Sequence, residues 1–346
     1  MKMTPLNSVD GKVGVALLSF AHVHARDYAN QVKNHPDCKI IAVWDEDHSR
    51  GLTEAGAHNV PFYDQLETLL ALPEVDAVVV NAPTSKHRDI LVAAAKAGKH
   101  IFTEKSLTIN TEEATEVMRA VEDSGVRFAI SLPSRVRPEI LFAKQVLDMG
   151  YLGEVTMMRT RIAHMAALDR WFTGGSSWFG DAEQSGGGAF FDLGCHRVDL
   201  MRWFLGSPVS VVTQMNNFSN AYEVDDNMVS VITFANRSIG IIDVSWVQRH
   251  GPNPLEIYGT DGYLSIEAAP NGPRIQLISG QLKAGDIQGY ITPTHLPAAP
   301  LPLLNQWVAA IKHGSVIATN VYDGWNLVQL LEGCYKAGRE GKEHTF

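Results

Sequence analysis

Short apolar runs recur along the first third of the chain, at 13–18, 40–44, 75–80, 100–103 and 127–130, each rich in Val, Ile or Phe. Runs without polar alternation suit strands buried on both faces, as in a parallel sheet. Between them the period lengthens to that of amphipathic helices, over 25–33, 65–70, 88–97 and 112–123, with Gly98 and Gly125 where C-terminal caps form. Strict alternation of strand and helix implies right-handed crossovers and an α/β, Rossmann-type, doubly wound parallel sheet. After a helix predicted over 139–149 the pattern changes to successive strands at 154–162, 209–215, 228–234, 238–247, 255–258, 262–266 and 275–278. Several alternate apolar and polar residues across short turns, which predicts an α+β domain with a large open, mainly antiparallel sheet. One face of such a sheet is covered by helix; the other meets a partner subunit or water. The proline-rich stretch 270–302 reads as a long loop or arm, and helices over 304–312 and 323–337 close the chain.

Length and composition sharpen this picture. A chain of 346 residues exceeds what one hydrophobic core supports, so two domains are expected, 1–132 and 133–346. The 45% hydrophobic and 19% charged residues are those of a globular protein, and a formal net charge of -9 without a basic cluster argues against nucleic acid. No apolar run is long enough for a signal-peptide core or a bilayer span, so a cytoplasmic protein is expected, with no membrane partner. Cys38, Cys195 and Cys334 are odd in number and without CxxC spacing, which suits reduced thiols. No metal site is expected, because His22 and His24, two residues apart, fall on different helix faces.

The candidate chemistry centres on 185–199, Ser-Gly-Gly-Gly-Ala-Phe-Phe-Asp-Leu-Gly-Cys-His-Arg-Val-Asp. Three glycines are poor helix formers and mark a bend or a close approach, read here as clearance for a cofactor or substrate. Asp192 and His196, four apart, share one face of the helix that follows; a buried ion pair and an acid/base pair are both open readings. Asp199, one turn further, suits a structural partner. Glu104 and Lys105 follow the strand at 100–103, at the sheet edge where ligands of this fold class bind. A lysine there joined by Asp192 and His196 makes an acid/base cluster.

The loop after the first strand lacks the expected GxGxxG: Leu17, Ser19 and His22 occupy the glycine positions. Backbone amides at Ser19, Phe20 and His22 remain candidates for holding phosphate. Asp45, ending the second strand, suits ribose hydroxyls and favours NAD, while nearby Arg50 leaves NADP open. Asn81, Thr84 and His87, in the turn after 75–80, and Glu104 with Lys105 complete the expected cofactor site.

Element order, Glu104-Lys105, and the Gly-Gly-Gly…Asp192-x-Gly-x-His196-x-x-Asp199 stretch make nearly the whole chain similar to the Gfo/Idh/MocA oxidoreductases, the glucose-fructose oxidoreductase and inositol dehydrogenase group. Lys105 falls on the lysine of that family's Glu-Lys-Pro motif, with Ser106 in place of the proline; Asp192 and His196 fall on its catalytic aspartate and histidine. The resemblance implies hydride transfer between a nicotinamide and a secondary hydroxyl of a sugar, sugar acid or cyclitol. His196 would act as base and Asp192 would orient it, while Lys105 would stabilise the oxygen. Arg135, Arg161, His164 and Trp178, with Arg159, Trp171 and His196 itself, are the substrate-binding candidates. The expected partners are a small polyol or sugar and further copies of the chain, as a homodimer or homotetramer joined through the open sheet face. Two other functions stay open: a glycosidase or lyase that recycles its NAD, and a ligand-sensing regulator.

Overall fold

The computed structural model describes residues 11–269, 271–282 and 291–346. Its first half comprises β1 (Val13–Leu18), α1 (Ala25–Asn34), β2 (Cys38–Trp44), α2 (His48–His58), β3 (Phe62–Tyr63), α3 (Leu66–Leu70), β4 (Ala77–Val80), α4 (Thr84–Lys96), β5 (His100–Thr103), α5 (Thr111–Ser124) and β6 (Phe128–Ile130). These six strands are parallel in the order β3-β2-β1-β4-β5-β6. Winding reverses between β1 and β4, which opens a crevice beyond the strand C-termini. Every residue of β1, β4, β5 and β6 is buried, the physical reason these runs carry no polar alternation.

Two elements here escaped the hydrophobic pattern. α2 contains Gly51 and Gly56, which weaken its helical signal, yet the Asp47 carboxylate caps its first turn and Asn59 closes it in a left-handed conformation. Gly51 is required by packing, since a Cβ there would lie 2.2 Å from the Phe62 ring. β3 is only two residues long, too short to show a period.

The second half comprises α6 (Pro138–Asp148), β7 (Val155–Ala163), α7 (Ala182–Ser185), a π-helical turn Phe190–Gly194, α8 (Cys195–Leu205), β8 (Pro208–Asn216), β9 (Asn227–Phe234), β10 (Ile239–Ser245), β11 (Leu255–Gly259), β12 (Gly262–Glu267), β13 (Arg274–Ser279), α9 (Leu303–His313), α10 (Val321–Glu340) and β14 (His344–Thr345). Eight strands form an open sheet in the order β13-β12-β11-β7-β10-β9-β8-β14. It is antiparallel except where β7 pairs with β10. Strict alternation along β9 buries Met228, Ile232 and Phe234 on one face and exposes Val229 and Val231 on the other. On the inner face α8 lies so close that a Cβ on Gly240 would sit 2.2 Å from the Met201 sulfur.

α9, although within 133–346, packs back on the parallel sheet: Trp307 is fully buried, meets the Phe102 ring at 5.8 Å and donates to the Arg127 carbonyl at 3.2 Å. Of the expected arm at 270–302, residue 270 and residues 283–290 lie outside the described residues, as do 1–10. In the described remainder, Ile291 exchanges backbone hydrogen bonds with Leu277 at 2.9 and 2.6 Å.

Candidate active site

The β1–α1 loop takes the shape a glycine loop would take, with other residues. Ser19 stands at φ +70°, the left-handed region that glycine ordinarily fills. The buried Asp45 carboxylate holds the loop: Oδ2 accepts the Phe20 N–H at 2.8 Å, Oδ1 accepts the Asp47 N–H at 2.8 Å, and Arg50 forks onto both oxygens. Asp45 therefore braces the loop instead of lying open to a ribose. Glu46, bound by Ser19 Oγ at 3.0 Å and by Arg50 at 2.6 Å, and Arg50 itself keep part of their surface exposed there. The Phe20 ring is buried and stacks on His58, so only its backbone serves the loop.

His87, read as a cofactor ligand, has another role. Its Nδ1 faces the Ser106 and Leu107 carbonyls at 2.9 and 3.3 Å and its Nε2 the Ala82 carbonyl at 3.0 Å. Buried between the loop after β4 and the loop after β5, the ring is neutral and its single N–H donates to one of these carbonyls.

Three buried polar atoms at this sheet edge have no hydrogen-bond partner among the described residues: His22 Nε2, Asn81 Oδ1 and Ser106 Oγ. They belong to the loops after β1, β4 and β5, the first two tied together where the His22 N–H donates to the Asn81 carbonyl at 3.0 Å. Leaving such groups unmade costs about 1–3 kcal/mol each. Their convergence at the crevice fits a bound polar group such as a dinucleotide. Burial lowers His22 to a pKa of about 4, so it is neutral, and its Nδ1 accepts the His24 N–H at 3.2 Å, which puts the ring proton on Nε2. His22, His24 and Glu104 bring ligand atoms within 4.8 Å of one another. Glu104, however, is already held by the Tyr28 hydroxyl at 2.7 Å, the Lys105 N–H at 2.8 Å and His24 Nδ1 at 3.1 Å. The three are joined by hydrogen bonds through His24, while His22 Nε2 stands 3.9 Å from Glu104 Oε2.

The catalytic candidates meet across the two halves. The Lys105 ammonium reaches Asp192 twice, Oδ1 at 2.7 Å and the backbone carbonyl at 2.6 Å. A π-helical turn takes carbonyls out of the i→i−4 ladder, and the Asp192 carbonyl is turned to Lys105. The Lys105–Ser106 peptide is cis. Burial alone would lower the Lys105 pKa; Asp192, with Cys195 and Glu104, outweighs burial and raises it. Burial opposes ionisation of Asp192 as well, yet Lys105 holds it below the usual carboxylate range. Asp192 is thus engaged by Lys105, whereas only longer-range electrostatics link it to His196. Burial, reinforced by Lys105, lowers the His196 pKa to about 3 and keeps the ring neutral. Cys195 is a packed thiol whose Sγ contacts the Asp192 carbonyl, and burial pushes it up to about 12.

Of the substrate candidates, Trp178 and His164 stand beside this cluster, and Arg135, Arg161 and Arg159 do not. Trp178, with Thr84, Ser106 and Phe191, lines a cavity of about 10 Å³ shared with Lys105 and Asp192, and its indole N–H donates to the Ala21 carbonyl at 3.1 Å. His164 is stacked on Trp171 at 4.8 Å and feels the charges of Asp192 and Lys105, although burial lowers its pKa most. Arg135 is a buried structural cation: it forks onto Asp199 at 2.7–3.2 Å, bonds Asp323 at 2.7 Å and lies over the Trp203 ring. Arg161 pairs with Asp243 at 3.5 Å among Val229 and Ile241, on the sheet face opposite α8. Arg159 lies beside it, with Glu256 at 4.0 Å.

The three glycines serve packing. A Cβ on Gly187 would meet Tyr335 Oη at 2.3 Å, and one on Gly188 the Asp225 carbonyl oxygen at 1.9 Å. Clearance for a ligand is therefore not what they provide. Tyr335 and Asp225 escaped the sequence reading, and the glycine triplet, which demands a close neighbour, was the signal for them.

Comparison with known proteins agrees with this geometry. The family described as "Oxidoreductase family, NAD-binding Rossmann fold" matches residues 13–132, and the GFO/IDH/MocA C-terminal domain matches 140–265. Inositol 2-dehydrogenase of Rhizobium meliloti (strain 1021) is 25% identical over 91% of this chain and 94% of its own. The scyllo-inositol 2-dehydrogenase (NAD(+)) of Bacillus subtilis (strain 168) is 27% identical over 75% of each chain. The crystal structure of the WlbA dehydrogenase from Bordetella pertussis in complex with NADH and UDP-GlcNAcA shares the fold, with a TM-score of 0.83 at 19% identity over 98% of this chain and 99% of its own.

Proposed function

Because this chain belongs to the Gfo/Idh/MocA family of NAD-dependent oxidoreductases, we propose that it transfers hydride between NAD and a secondary hydroxyl of a sugar, sugar acid or cyclitol. The observation that carries the reading is the double contact of Lys105 with Asp192, with a neutral His196 that feels the charges of both. NAD, when bound, supplies the hydride acceptor. The loops after β1, β4 and β5 would hold it, through Ser19, His22, Asn81 and Ser106, with Asp45 and Arg50 shaping the end nearest β2.

The residues of this chain then govern the proton and the oxygen. Lys105 can donate to the substrate oxygen and stabilise the charge that develops on it. His196, neutral because it is buried beside that ammonium, can accept the hydroxyl proton. A negative oxygen forming next to Lys105 offsets the charge that depresses His196, so proton acceptance grows easier as the reaction proceeds. His164, whose Nδ1 accepts the Ala166 N–H at 3.2 Å, keeps its proton on Nε2 and is a donor for substrate oxygens. Trp171 and Trp178 supply apolar surface for a ring.

A second copy of the chain would cover the outer face of the open sheet. There the exposed Val212 pairs with the exposed Val231, and Val231 with the half-buried Ile241, an apolar stripe crossing three strands. Three unpaired, buried thiols suit a reducing compartment such as the cytoplasm, and no helix among the described residues is long and apolar enough to cross a membrane.

Titration with NAD and NADP separately, followed by reduced-nicotinamide absorbance over a panel of cyclitols and sugars, tests the reading. Saturable NAD binding and net reduction with at least one polyol are expected; no binding of either nucleotide overturns it. Val231→Glu is expected to yield smaller particles by light scattering after gel filtration, and an unchanged mass rejects the outer face as the interface.

A further inference from the structure

The turn that carries Asp192 is gripped from behind by two buried residues that the reaction scheme leaves unused. An isolated helix start leaves its first four N–H groups without partners. Here the four consecutive N–H groups of 188–191 are all satisfied by Asp225, in the β8–β9 connection, and Tyr335, on α10. Asp225 Oδ1 accepts from Gly188 at 2.8 Å, its carbonyl accepts from Ala189 at 2.8 Å, and Oδ2 accepts from Phe190 at 3.2 Å. Tyr335 Oη accepts from Gly188 at 3.1 Å and from Phe191 at 3.2 Å while donating to Asp225 Oδ1 at 2.7 Å. Only glycine at 187 and 188 lets the backbone come this near.

The grip reaches the reacting cluster by a short route. Phe191 packs on the Tyr335 ring at 6.1 Å and lines the cavity shared by Lys105 and Asp192. Asp192 must offer Lys105 a carboxylate and a carbonyl oxygen at once, so a slide of the turn along its axis breaks at least one contact. We propose that Tyr335 and Asp225 are positioning residues for hydride transfer, setting the axial place of the π-helical turn and thereby the Lys105–Asp192 geometry. This rests on the reading of Lys105, Asp192 and His196 as the reacting cluster.

Tyr335→Phe removes one oxygen and little volume. In the full-length protein, well below its unfolding temperature, kcat is expected to fall about 10- to 100-fold, the scale of a displaced catalytic group. KM and the NAD dissociation constant should change less than about 2-fold, because the hydrogen bonds of this pair go to 188–191 and to each other, not to the cofactor loops. Amide exchange at 188–191 should quicken in the same sample. Asp225→Asn provides the same three readouts should Tyr335→Phe not fold. Faster exchange with unchanged kcat overturns the proposal and leaves a structural cap; unchanged exchange overturns the grip itself. No turnover in the unsubstituted protein overturns the hydride-transfer reading, whereas undiminished kcat in Tyr335→Phe overturns this inference alone.

Discussion

Lys105 shows what a buried charge needs in order to persist: burial opposes the ammonium, and Asp192 together with Cys195 and Glu104 outweighs it. Replacing it by Met keeps the shape and removes the donor at the reacting oxygen. Lys105→Met is expected to lower kcat/KM by about 10²- to 10³-fold with NAD still bound; activity within about 3-fold of the unsubstituted protein rejects the assignment. Histidines set the pH behaviour. Burial lowers His22 and His100 to about 4 and His196 to about 3, below the ordinary 6.5. The unfolded chain therefore binds more protons in this range, and stability falls as pH drops from about 6.5 toward 4. His24 runs the other way: its hydrogen bond to Glu104 raises its pKa, so its contribution is whole below the unfolded value and fades as pH rises through the folded one. Melting temperatures at about pH 7.5 and about pH 5 should show the acid loss. His100→Asn, which keeps an acceptor for the Arg127 N–H, should shrink that loss; an equal loss refutes the role given to His100.

At the scale of elements, the glycine triplet and the π-helical turn act as one unit. Gly188→Ala places a Cβ 1.9 Å from a backbone oxygen that cannot rotate away. Overpacking of this kind costs about 1–3 kcal/mol. Chemical denaturation should show that loss, and an unaltered midpoint would mean that Asp225 can retreat. Helical spacing suggested one shared face for Asp192 and His196, but it could not reveal the π turn from which Asp192 engages Lys105. Turn width depends on the N–H partners from Asp225 and Tyr335, more than thirty and more than a hundred residues away.

At the scale of the molecule, Arg135 joins three distant pieces: the turn after β6, Asp199 on α8 and Asp323 at the start of α10. Arg135→Met leaves two carboxylates facing an apolar side chain, Asp199 fully buried among them. Removing one member of a buried pair typically costs about 3–5 kcal/mol. Calorimetry should show that drop, and NAD affinity should hold, since Arg135 is remote from the β1–α1 loop in role and contacts. Intact stability with a raised KM for the polyol would return Arg135 to the substrate site.

The sequence by itself determined the two sheets, the strand ends from which Lys105 and Asp45 emerge, and the Asp192–His196 spacing. Burial period and chain direction are local properties, and a strand's hydrophobic run records them directly. Only the tertiary structure decided which charged groups meet. Arg135, Arg161 and His87 have the chemistry of ligand-binding residues, yet their partners, Asp199 with Asp323, Asp243, and the carbonyls of Ala82, Ser106 and Leu107, come from other elements. A side chain's role follows from what faces it in three dimensions, and that pairing leaves no local period to read.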